Sequence, residues 1–330
     1  MQSADFVEDL YKNWFRRPTL FAACAWFLLA AAGRIILRLA LSELAMALQL
    51  HWGVDIRVHM SSAADILFEM GLLALPVARY AVTHPGVEQS MRIKAPHPVI
   101  AGYAAALAMA AVPFCSCLTG WWTLLIRSAG GVLRETSAAP ATAAGLCAAL
   151  LLKAALPGLC EETLFRGGIM GAWERRGTER ALVISSLAFA ALHGSVSELP
   201  VQLLMGFSLG WMVMKSGSLW IGVIFHMVFN GTVIAASSAL DGRVNMYIYT
   251  LSSSPALTLI AADTVASGAL FGLMLIGLKA LCRRLTPQDE GPRQPDLTPL
   301  EPLELVVLMA GVVTVMICYL EDILRICGVL

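Results

Sequence analysis

The chain has 330 residues, of which 58% are hydrophobic and 14% charged, with a formal net charge of zero and a mean hydropathy of +0.72. Soluble domains are about 45–50% apolar and about 25% charged, so this composition excludes an ordinary soluble domain and points to membrane spans of roughly 20 apolar residues each. With no net charge, no basic patch and no nucleic-acid motif, nucleic acid is excluded as a partner.

The first residues, MQSADFVEDLYKNWFRRP, carry Asp5, Glu8 and Asp9 and lack a small-residue cleavage site. They are expected to form a cytoplasmic amphipathic lead-in rather than a signal peptide. Nine apolar segments follow, at 20–49, 62–83, 98–118, 141–172, 181–194, 199–214, 218–239, 255–281 and 303–327. The fifth and sixth are short. The predicted architecture is therefore an all-α polytopic transmembrane bundle of eight to nine spans with the lipid bilayer as its solvent. TGWWTLLIRSAGG at 119–131 is expected at the interface, where Trp121 and Trp122 suit headgroup depth. Residues 283–302, rich in Pro and charge, read as a polar linker. The eight cysteines form no CxxC pair and are expected to be buried thiols, with no Cys115–Cys117 disulfide. Three regions result: N-terminal spans at 1–140, a core at 141–240, and C-terminal spans with the linker at 241–330.

Lysines and arginines set the expected orientation. Arg16 and Arg17, then Arg79, Arg92 and Lys94, then Arg175, Arg176 and Arg180, then Lys215, then Arg283 and Arg284 fall on one side if all nine segments cross and the N-terminus is cytoplasmic. Arg57, Arg127 and Arg134 fall opposite, and a prokaryotic inner membrane is the expected location. Arg34, Arg38 and Glu43 in the first span and Asp65 and Glu69 in the second are expected to pair structurally between the two, since isolated charges in a span are costly.

Three stretches repeat polar groups at helical spacing. In Glu161-Glu162-Thr-Leu-Phe-Arg166, Glu162 and Arg166 are four apart and share a face, while Glu161 is rotated by about 100° and stays free. Phe189-Ala-Ala-Leu-His193 puts an aromatic ring and an imidazole on one face. His226-Met-Val-Phe-Asn230 does the same for an imidazole and an amide. At about 1.5 Å per residue, Glu161 (13 residues before Glu174), His193 (13 after Arg180) and His226 (11 after Lys215) lie roughly 20, 20 and 17 Å from one boundary. Unrelated polar residues would not agree in depth this closely, so the three helices are expected to meet. A carboxylate beside an imidazole can hold and deprotonate a water. A second histidine and an asparagine amide can donate to a developing oxyanion. Together they amount to peptide-bond hydrolysis by activated water, with no covalent nucleophile.

EETLFRG, FAALH and HMVFN resemble, in order, the EExxxR, FxxxH and HxxxN/D motifs of the CAAX protease and bacteriocin-processing (CPBP or Abi) family, whose eukaryotic members include the Ras-converting CAAX endopeptidase. The resemblance implies an all-helical, glutamic-type intramembrane endopeptidase, long debated as a metalloprotease, acting on a membrane-associated protein or peptide. It implies that Glu161 and His193 activate water, that His226 and Asn230 form the oxyanion site, that Glu162 and Arg166 support them, and that Phe189 packs against them. The spans before 141 and the last span are not covered by it.

Glu with two His is also a zinc ligand set, but no HExxH occurs and the histidines come from different helices. The expectation is no metal site and no cofactor, with a zinc-dependent form of the same protease as an alternative. Serine and aspartyl intramembrane proteases lack their GxSG and GxGD signals here. The alternative outside catalysis is a bacteriocin-immunity protein, scaffold or transporter built on the same helices.

Overall fold

Nine helical units match the nine apolar segments one for one in the computed structural model, which describes residues 18–52, 63–133, 140, 142–239, 254–286 and 299–329. They are α1 Leu20–Trp52, α2 Ala63–Thr83, α3 Pro98–Ser128, α4 Ala143–Arg176, α5 Thr178–His193, α6 Leu199–Ser216, α7 Leu219–Ala239, α8 Ser254–Leu285 and α9 Pro302–Ile326. No strand occurs among the described residues. The lead-in at 1–17, most of the linker (287–298), Arg57 and Arg134 lie outside them.

Seven of these units, all but α5 and α6, are long and apolar enough to cross a membrane. The protein is a multi-pass integral membrane protein. In the most apolar windows of those seven helices only 11–39% of residues are buried within the protein. Side chains such as Leu39, Leu75, Val265, Ile276 and Met316 point outward, as helices solvated by lipid require.

The two short helices still run from end to end. At one end the loop after α2 is tied to two others: Arg92 Nη2 pairs with Glu174 Oε1 at 2.5 Å, Leu219 N–H donates to Arg92 O at 2.9 Å and Ser218 Oγ donates to Lys94 O at 2.5 Å. At the other end, Val196 in the α5–α6 loop meets Trp122 of α3 and Asp322 of α9. Arg92, Lys94, Arg175 and Arg176 thus cluster at one end, the grouping that the charge count predicted.

The stretch expected at the interface, 119–131, continues α3 to Ser128. Nothing between Thr119 and Ser128 breaks a helix, and the turn comes only at Gly130, with φ +87°. Trp121 Nε1 donates to Thr264 Oγ1 of α8 at 3.0 Å. Arg283 and Arg284, assigned to the linker, form the last turn of α8. All eight cysteines are free; Cys147 and Cys327 are exposed and Cys117 and Cys318 half-buried, against the expectation of buried thiols throughout.

α4 sits centrally, against α2, α5 and α7; α3 packs on α7 and α8, and α9 on α1. Phe165 and Met170 of α4, Phe189 of α5, Leu209 and Met212 of α6 and Phe225 of α7 are fully buried between them. Arg166 is buried as completely as any of these. A charge at that depth needs partners, and they define the site.

Candidate active site

α4 is not a uniform helix. Leu151–Ala155 and Thr163–Met170 are π-helical, and the α-helical stretch Leu156–Glu162 between them ends in the two acids. A π turn slips the backbone bonds by one residue and re-aims the side chains that follow. Pro157 opens that stretch and has no N–H to offer Lys153 O four residues earlier. Asn230 Nδ2 of α7 donates to this carbonyl at 3.2 Å.

Glu162 points into the protein. Its Oε1 accepts Arg166 Nη1 at 2.7 Å and lies 3.1 Å from His226 Nδ1. Arg166 Nη2 donates to Gly206 O of α6 at 3.0 Å, and the guanidinium lies over the Phe189 ring, 4.4 Å from its centroid. The i,i+4 pair expected from spacing is present, with both side chains fully buried. α7 approaches Glu162 closely at Gly222, where a Cβ would come within 2.7 Å of Glu162 Oε2. Any larger residue there would have to displace the carboxylate or α7.

Glu161 faces the other way. Its Oε2 has no hydrogen-bond partner among the described residues and stands 4.0 Å from His193 Nε2. That is too far for a direct bond and suits one bridging water. His193 Nδ1 is 2.8 Å from Phe189 O. A carbonyl only accepts, so Nδ1 carries the proton and a neutral ring leaves Nε2 as an acceptor. The Phe189 ring touches both histidines, tilted by 52° to His193 at a centroid distance of 4.9 Å and edge-to-face with His226 at 5.9 Å.

Glu161, His193, His226, Asn230 and Phe189 line one cavity of about 490 Å³. A second cavity of about 430 Å³ adjoins it at Glu161 and His193 and runs out between α1 and α2. Every residue singled out in the three motifs therefore gathers at one place, including Glu162 and Arg166 just behind the cavity wall.

The charges of α1 and α2 do not pair as expected. Among the described residues no ion pair links Arg34 or Arg38 to Asp65 or Glu69. Arg34 Nη1 donates instead to Leu192 O, and its guanidinium lies over Phe68 at 5.4 Å. Arg34, Asp65 and Glu69 border both cavities, and Glu69 is buried with Oε2 unbonded among the described residues. Arg34, Arg38, Asp65 and Glu69 face a cavity between the two helices rather than each other. Glu198 and Lys153 also border the larger cavity. Nothing in their sequence context separates them from ordinary loop and span charges.

Residues 143–232 match the family described as Rce1-like, the type II CAAX prenyl endopeptidases. No curated protein and no solved structure matches the chain. All three stretches that carry the resemblance, EETLFRG, FAALH and HMVFN, fall within these matched residues, which make up less than a third of the chain.

Proposed function

We propose that the protein hydrolyses a peptide bond of a membrane-associated protein, using a water held between Glu161 and His193. The observation that carries this reading is Glu161 Oε2, unbonded among the described residues and 4.0 Å from His193 Nε2. A water donating one hydrogen to Glu161 and the other to His193 Nε2 keeps an oxygen lone pair free for the scissile carbonyl carbon. Glu161 takes the proton as the C–O bond forms. The carbonyl oxygen becomes an oxyanion, the tetrahedral adduct collapses, and the proton on Glu161 passes to the departing amine. Base and acid are one residue acting in sequence.

His226 and Asn230 border the same cavity and receive the oxyanion in this reading. His226 Nδ1 is engaged by Glu162, so Nε2 donates only when the ring is an imidazolium. Glu162, shared with Arg166, is the carboxylate that balances this charge. In this reading the step uses no metal, because Glu161 and His193 hold and deprotonate the water themselves.

The substrate class is a protein or peptide held at the membrane by its own span or lipid anchor, and the N-terminus of the enzyme is assigned to the cytoplasm. The test uses two quenched peptides in proteoliposomes, ending in a CAAX sequence with and without an S-farnesyl group. Wild type is expected to cleave at least one, and Glu161→Gln to lose roughly 10²-fold or more in rate. Turnover of Glu161→Gln near wild type would refute water activation by this residue.

A further inference from the structure

We infer that α1, α3 and α9 clamp the end of α5 and so position His193, which makes Arg34, Trp122, Tyr319 and Asp322 positioning residues of the active site. The inference rests on the role given to His193 above. His193 is the last residue of its helix, where the final carbonyls lack intrahelical partners and a helix frays most easily.

Here each of the four carbonyls before His193 has a partner. Phe189 O accepts the Nδ1–H of His193 at 2.8 Å. Ala190 O accepts Tyr319 Oη–H at 3.0 Å. Ala191 O accepts Gly194 N–H at 3.1 Å. Leu192 O accepts Arg34 Nη1, a cation at a helix C-terminus, where the dipole favours it. The loop beyond is held at both sides of one residue: Val196 N–H donates to Asp322 Oδ2 at 2.7 Å, and Val196 O accepts Trp122 Nε1 at 2.7 Å. Between them Gly194 adopts φ +60°, and a Cβ there would come within 3.2 Å of Cys318 Cβ.

Cys318 and Asp322 share a face of α9, and Tyr319 is next to it. Most of α9 faces outward, with 11% of its apolar window buried, so these inward polar contacts are concentrated on the His193 loop. None of Trp122, Tyr319 and Asp322 borders either cavity. Their hydrogen bonds go to the end of α5 and the loop that follows it. All four clamp residues lie outside the 143–232 stretch matched by the family.

The test uses the full chain in detergent, ¹⁵N-labelled on histidine, with His193 assigned by difference against His193→Gln. Wild type is expected to show His193 as a single Nδ1–H tautomer. In Tyr319→Phe and Asp322→Ala that signal should move toward averaged ring nitrogens while the His226 signal stays. Asp322→Asn should restore it, because the amide oxygen still accepts Val196 N–H. With the quenched peptides, kcat of the first two variants should fall about ten- to a hundredfold with KM little changed, and Tyr319→Phe should cause no further loss in a His193→Ala background. An unchanged His193 signal in both variants, or an equal loss from Tyr319→Phe with and without His193, would overturn the clamp. Wild-type turnover by Glu161→Gln alongside a responsive His193 signal would instead refute the catalytic reading and leave the clamp standing. Tyr319→Phe removes a single hydroxyl, so the test survives a failure of Asp322→Ala to fold.

Discussion

His226 Nδ1 lies 3.1 Å from Glu162 Oε1, so the third motif is tied to the second of the two adjacent acids and the first is left to His193. The two glutamates thereby divide the work. Glu162 serves two cationic or donor partners, Arg166 and His226, inside the protein. Glu161 lines the cavity, with Oε2 unbonded among the described residues.

Removing one member of the inner pair should cost more than removing both. Arg166→Met strands a fully buried Glu162 carboxylate, a change that typically costs about 3–5 kcal/mol. Glu162→Gln with Arg166→Met leaves a neutral pair and should recover part of that loss. Thermal unfolding in detergent measures both. Equal melting temperatures for the single and double variants would argue against the ion pair as a stabilising element. Arg166→Lys should not substitute, because one ammonium cannot reproduce the planar fork that reaches Glu162 and Gly206 together.

Gly222→Ala tests the same arrangement without touching a charge. Its new Cβ would stand 2.7 Å from Glu162 Oε2 and 2.8 Å from Val213 Cγ2. Either the carboxylate shifts or α7 moves away from α4, and overpacking of this kind costs about 1–3 kcal/mol. Activity should fall because His226 travels with α7. Full activity with wild-type stability would mean that the contact is loose enough to absorb a methyl group.

How far the sequence reaches can be judged residue by residue. The nine apolar runs are legible because a bilayer demands apolar length and tolerates no unsatisfied backbone. Glu162 with Arg166, Phe189 with His193, and His226 with Asn230 are legible because helical spacing puts each pair on one face. The π stretches at 151–155 and 163–170 are not, since the slip depends on what packs against α4 and on the gap left by Pro157. Arg34, Asp65 and Glu69 were visible as charges but misassigned: opposite charges on neighbouring spans predict pairing, and only the structure shows the cavity between them. Tyr319 and Asp322 lie 129 and 126 residues from the backbone groups they bind. A single Tyr or Asp near the end of an apolar run carries no sign of so distant a partner.

Metal dependence separates the water-activation reading from its zinc-dependent alternative. If Glu161 and His193 act on water directly, purified protein should carry no stoichiometric zinc, and strong chelators should leave turnover of the quenched peptides intact. Elemental analysis is the check. Stoichiometric zinc, lost together with activity in His193→Ala, would favour the metalloprotease form.

The His193 end of the bundle is expected to face away from the cytoplasm. His193 and the α5–α6 loop lie at the end opposite the Arg92–Glu174 pair, and the Lys/Arg count assigns that pair to the cytoplasm. Ser195 follows the clamped helix end and is half-buried, while Arg180 begins α5 at the other end and is exposed. Cysteines introduced as Ser195→Cys and Arg180→Cys, in a background with the native cysteines replaced by serine or alanine, should respond oppositely to a membrane-impermeant thiol reagent. Arg180→Cys should label only after the cytoplasmic face is opened, and Ser195→Cys from outside spheroplasts. The reverse pattern would invert the topology and place the His193 end in the cytoplasm. Labelling of both from one face would contradict the crossing of α5, since those positions lie at opposite ends of a helix about 24 Å long.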